Sequence, residues 1–119
     1  MGDLPKARQA ALTCIEWNES NGNQDQLIWA LRVMAKVSLA MGDLDAPHAM
    51  LKRSFLLART CLMRPHMAWI LSLWGDLLVR AGMLRKGAAC YRRSAALWDE
   101  MGNPHQAHKI KEILQHIEV

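Results

Sequence analysis

The sequence predicts an all-α chain of antiparallel helical hairpins, and three observations carry that prediction. Gly-Asp-Leu stands at Gly2-Asp3-Leu4 and again at Gly42-Asp43-Leu44, and Gly82-Met83-Leu84 follows at the same 40-residue step. A fixed period in that range is the signature of a repeat array. The composition is helical: Ala, Leu and Met are abundant, β-branched residues are sparse, and Phe and Tyr occur once each. The four prolines all fall where helices begin, and glycines mark the turns at Gly2, Gly22, Gly42, Gly82 and Gly102.

Six helices follow in order. The first is predicted over about 4–18, with Asp3 as its cap and Pro5 in its first turn. The second runs over about 25–41 and ends at Gly42. The third, about 44–62, carries Pro47 in the first turn after Asp43, near the limit of what the hydrogen-bond ladder tolerates. The fourth, about 65–81, opens with Pro65 after Arg64, and the fifth covers about 84–101. The last, about 104–118, has Asn103 as its cap and Pro104 at its first position. The Gly-Asp turns are expected to be tight, and the other loops, such as Asn18 to Gln24, somewhat longer. Gly75 and Gly87 lie inside helices, where glycine is costly unless close packing requires it.

Size and charge narrow the function classes. A chain of 119 residues with 51% hydrophobic and 22% charged residues is globular, of one domain's length. Charged residues interrupt every apolar stretch, so no membrane-spanning helix fits, and the N-terminus carries no apolar signal core. Three cysteines (Cys14, Cys61, Cys90) are an odd number without metal-type spacing. They read as small buried thiols of a reducing, cytoplasmic compartment. A net charge of +4 mildly favours acidic partners and falls short of the dense basic stripe of a nucleic-acid binder. There is no phosphate loop, nucleophile elbow or metal cluster, and the carboxylates sit mostly near helix ends. The chain is expected to be no enzyme and to need no cofactor.

The register of small residues resembles tetratricopeptide repeats, in the variety with a period near 40 residues. Seven residues before the turn glycine stand Ala35 and Gly75; five after it stand Ala7, Pro47 and Gly87; twelve after it stand Cys14, Ser54 and Ser94. Large apolar residues fill the wedge places: Leu31 and Leu71, Met34 and Trp74, Leu51 and Tyr91. Leu4, Leu44 and Leu84 stand two after the glycine, where the family often has Tyr. Pro47 where Ala is usual, and Ala11 where a large aromatic is usual, depart from the pattern. HEAT and armadillo arrays share the period; the Gly-Asp turn and the small-residue register speak against them. The resemblance implies an α-α superhelix, a solenoid of about six helices. It would comprise a half repeat over 1–20, repeats over 24–62 and 65–102, and a terminal helix over 104–119.

What the resemblance implies for function is a protein-interaction scaffold. In the family the first helix of each hairpin lines a concave groove. By register the groove residues here would be Trp29, Arg32 and Lys36; then Trp69, Ser72, Asp76 and Arg80; then Lys109, Glu112 and His116. Trp29 and Trp69 would form an aromatic shelf beside a basic strip, suited to an extended or helical peptide with apolar and some acidic character. The competing reading buries both rings between repeats. The family's clamp for a C-terminal carboxylate is not implied, because Asp76 would repel one. Trp17, Leu57 and Leu97 read as core between repeats, with Trp98 beside the last. Arg85, Lys86, Arg92 and Arg93 read as a solvated face, or else as a basic patch for an acidic partner or nucleic acid. His105, His108 and His116 read as surface histidines, without the further ligands of a metal site. Two further expectations stand. One is a sensor or regulatory segment like those following the ATPase core of large bacterial transcriptional activators. The other is self-association through the incomplete repeat ends.

Overall fold

The computed structural model describes residues 4–21 and 24–117, and every element in it is an α-helix. They are α1 (Leu4–Asn21), α2 (Gln24–Ala40), α3 (Ala46–Thr60), α4 (Arg64–Arg80), α5 (Leu84–Glu100) and α6 (Pro104–Ile117). The predicted cap Asp3 and the turn glycines Gly2 and Gly22 lie outside the described residues. The chain divides into two compact units, Met1–Cys61 and Leu62–Val119. In the first, α2 packs against both α1 and α3; in the second, α5 packs against both α4 and α6.

Three helix ends are built alike. Gly42, Gly82 and Gly102 adopt φ of 85°, 83° and 73°, the left-handed region that glycine enters without steric cost. In each, the amide one residue past the glycine reaches back over the last turn: Asp43 to the Ser38 carbonyl at 3.0 Å, Met83 to Leu78 at 2.8 Å, Asn103 to Trp98 at 2.9 Å. The glycine amides bond to Leu39, Val79 and Asp99, all at 3.0 Å. This paired bonding satisfies carbonyls that the helix alone leaves open. The end of α3 achieves a similar reversal without glycine: Leu62, 85% exposed, is held at φ 55°. It stands 40 residues before Gly102.

Helix starts follow the sequence with one change. Asn103 Oδ1 accepts from the Gln106 amide at 3.2 Å, as its position predicts. Asp43 does not begin α3 directly. Its Oδ1 accepts from the amides of Asp45 at 3.0 Å and Ala46 at 3.2 Å, a side-chain turn that delays the helix to Ala46. The Gly-Asp connection, residues 41–45, is therefore longer than those at 61–63, 81–83 and 101–103, the reverse of the expected loop order.

The core of the first unit gathers Ala11 and Ile15 of α1 with Leu27, Ala30, Leu31 and Met34 of α2, and Met50 and Leu57 of α3 lean against it. The core of the second joins Ala68, Ala88, Tyr91, Ala95 and Trp98 to Ala107, Ile110 and Leu114 of α6. The small-residue places on α2 to α5 are buried as the close approach of helices requires: Ala35 is 1% exposed, and Pro47, Gly75 and Gly87 lie in the interior, while Ala7 and Cys14 on α1 are half-buried. A Cβ on Gly75 would stand 2.9 Å from the Tyr91 ring, and one on Gly87 would stand 2.7 Å from Val79 Cγ2 and 3.1 Å from the Gly75 carbonyl oxygen. So α4 and α5 touch nearly backbone to backbone, which is the packing reason for two glycines inside helices.

A second device ties each hairpin. Ser54, fully buried, donates to the Ile28 carbonyl at 3.3 Å; Ser94, 40 residues on and also fully buried, donates to the Ala68 carbonyl at 2.7 Å. Serine inside a helix usually bonds back into its own turn, as the exposed Thr13 and Thr60 do here. These two serines instead cross to the neighbouring helix and fix its register.

Candidate interaction surfaces

Helical periodicity places Trp29, Arg32 and Lys36 on one stripe of α2 and Trp69, Ser72, Asp76 and Arg80 on the corresponding stripe of α4. Neither tryptophan is enclosed. Trp29 is 46% exposed between the buried Ile28 and Ala30, and Trp69 is 39% exposed. Full burial of the rings, which the sequence left open, is thereby corrected to partial exposure. Lys36 and Arg80 are exposed, and Arg32 and Ser72 are half-buried. Partial desolvation of the Arg32 guanidinium lowers its pKa from the ordinary value.

Trp69 has a support that the register did not reveal. Its ring meets the buried Trp98 edge to face, with centroids 5.4 Å apart and planes at 79°. Ala58 holds the corresponding place on α3, so residue 58 offers Trp29 no equivalent ring. Asp76, expected on the groove stripe, is engaged within its own hairpin: the buried Tyr91 hydroxyl donates to Asp76 Oδ1. Burial, and then this bond, raise the Tyr91 pKa well above the usual phenol range. On α6, Lys109, Glu112 and His116 are exposed, and Glu112 pairs with His108 at 2.9 Å.

Leu57 and Leu97 are half-buried against the two cores, but Trp17 is 61% exposed and is no core residue. The face of α1 that bears Trp17 is open. Arg85, Lys86, Arg92 and Arg93 are all exposed on α5. Among the described residues, no group of three or more His, Cys, Asp or Glu is placed to hold a metal ion, and no helix is long and apolar enough to cross a membrane. The three cysteines are free and half-buried; burial raises the Cys90 pKa, with Arg93 opposing.

Sequence reasoning missed a cavity of about 470 Å³ lined by Ala10, Thr13, Cys14, Trp17 and Asn18 of α1 and Gln26 of α2. The signal was present: Trp17 stands 40 and 80 residues before Leu57 and Leu97, a large ring where leucine follows. No family model, curated protein or solved structure matches the chain.

Proposed function

We propose that the chain is a protein-interaction module of tetratricopeptide-like hairpins, each hairpin offering a peptide or helix of a protein partner the outward stripe of its own first helix, α2 or α4. The repeat character is supported by the paired serine bonds, the matching helix ends at Gly42 and Gly82 and the buried small-residue places of α2 to α5, all in one 40-residue register. The functional reading is carried by one observation. Two tryptophans at the same register place of successive hairpins keep 46% and 39% of their surface in water. Tryptophan and arginine are among the residue types most enriched at the energetic centre of protein interfaces. The stripe on α2 is the more basic, through Arg32 and Lys36, and suits acidic residues flanking apolar anchors.

The test is capture of a partner from the native host followed by titration of the purified pair. Trp29→Ala weakens the complex by about 2 kcal/mol, roughly 30-fold, at unchanged helicity. Trp29 is the better probe, because truncating Trp69 also strips its support from Trp98. Unchanged affinity in a folded Trp29→Ala protein rejects the tryptophan stripe as the binding surface.

A further inference from the structure

We infer that the open face of α1 is a receptor for an amphipathic helix supplied by another protein, lying antiparallel to α1 over Cys14, Trp17 and Asn18. The repeat supplies the template. Cys14, Ser54 and Ser94 share one register place on α1, α3 and α5. On α3 and α5 that place is fully buried beneath the preceding helix, whose backbone carbonyl receives the serine hydroxyl. On α1 it is only half-buried, its neighbours Ala10 and Thr13 are exposed, and Trp17 is 61% exposed where Leu57 and Leu97 are half-buried. The result is the 470 Å³ cavity.

A second observation points to a ligand. Asn18 lines this cavity yet is only 3% exposed. Its Nδ2 donates to the Cys14 carbonyl at 2.7 Å and to Cys14 Sγ at 3.2 Å. A carbonyl can only accept, so the nitrogen is the end that faces it. Asn18 Oδ1 is left buried with no hydrogen-bond partner among the described residues. A buried acceptor in that state is destabilising until a donor reaches it.

These features define the occupant. It is a helix, because a helix covers the corresponding face twice in this chain. It presents a small residue over Cys14, apolar residues at helical spacing against Ala10 and Trp17, and a side-chain donor such as Ser, Thr or Gln for Asn18 Oδ1. A second copy of this chain does not fit. On its α6, His108, Lys111 and Gln115 occupy the places of Ile28, Leu31 and Ala35 on α2 and of Ala68, Leu71 and Gly75 on α4. Laying that polar row on the cavity would take two exposed ion pairs, His108 with Glu112 and Lys111 with Asp99, out of water, where desolvation opposes them. Neither Trp29 nor Trp69 takes part in this contact.

Two fluorescein-labelled peptides serve as probes, residues 24–41 and 64–81 of this same sequence, each carrying the first-helix register, against the intact chain. Anisotropy is expected to saturate with at least one of them and not with its scrambled version. Trp17→Ala and Cys14→Arg each weaken that binding tenfold or more, while Trp29→Ala leaves it unchanged. Trp17 is a surface residue, so its variant tests the idea even if Cys14→Arg fails to fold. Three results overturn the inference: no saturable binding of either peptide, equal binding of the scrambled forms, or affinity indifferent to Trp17→Ala. A wild-type dimer in sedimentation that Trp17→Ala dissociates also overturns it, by assigning the face to a second copy.

Discussion

In the α2–α3 hairpin the helix crossing holds Ala35, Pro47 and Leu51; 40 residues on, in α4–α5, it holds Gly75, Gly87 and Tyr91. The serine bond is common to both. The first hairpin distributes its volume over three residues of moderate size. The second removes two side chains and places one large ring in the space, with its hydroxyl carried to Asp76. Both satisfy the same demand, a filled interior at close helix approach. The comparison teaches that the register fixes where helices touch, while the division of volume among the touching residues is free so long as the total is kept.

The largest expected effect breaks the second hairpin. Gly87→Leu drives a branched side chain into Val79 and the Gly75 carbonyl and costs about 3 kcal/mol or more of stability, read by urea unfolding. A wild-type midpoint would show that α4 and α5 do not meet there. Tyr91→Phe keeps the ring and removes the bond to Asp76, at a cost of about 2 kcal/mol for a hydrogen bond to a charged acceptor. Its pH signature sharpens the contrast with Leu51. The folded state raises the Tyr91 pKa above the unfolded value near 10, so its contribution is fully present below pH 10 and declines as pH rises above it. The Cys90 thiol, also raised, adds a decline that begins above its ordinary value of 9.0. Tyr91→Phe removes the first decline and retains the second; an identical alkaline profile in both proteins would show that Tyr91 is not the titrating group. The smallest effect tests what the hairpins share. Ser54→Ala and Ser94→Ala each cost about 1 kcal/mol, with Ser94 the larger because its bond is 2.7 Å against 3.3 Å. A neutral Ser94→Ala would demote that bond from register pin to incidental contact.

Much of this architecture was legible because it rests on local chemistry. Glycine at 42, 82 and 102 enters the left-handed region, proline sits in first turns, and small residues recur at fixed distances, so all six helices emerge within a few residues of their places. What escaped was decided by partners far along the chain or by a side chain acting unusually. Asp43 forms its own turn before α3. Leu62 accepts a backbone conformation that the sequence reserves for glycine elsewhere. Trp17 is 61% exposed where Leu57 and Leu97 are half-buried, which register alone does not convey. The edge-on contact of Trp69 with Trp98, and the capture of Asp76 by Tyr91, depend on which residue stands opposite on the next helix. The candidate stripes were readable as positions, but their exposure and pairings were not.

The tight meeting of Gly75 with the Tyr91 ring bears on how the chain avoids assembling wrongly. Two hairpins with one ground plan invite confusion during folding, α5 nestling on α2 as readily as on α4. The aromatic ring acts as a key against that error: on α2 it would meet the methyl of Ala35 where it now meets bare backbone, and Lys36 where it now finds a carboxylate. The two hairpins thus stay distinguishable to each other through one absent methyl group and one reversed charge.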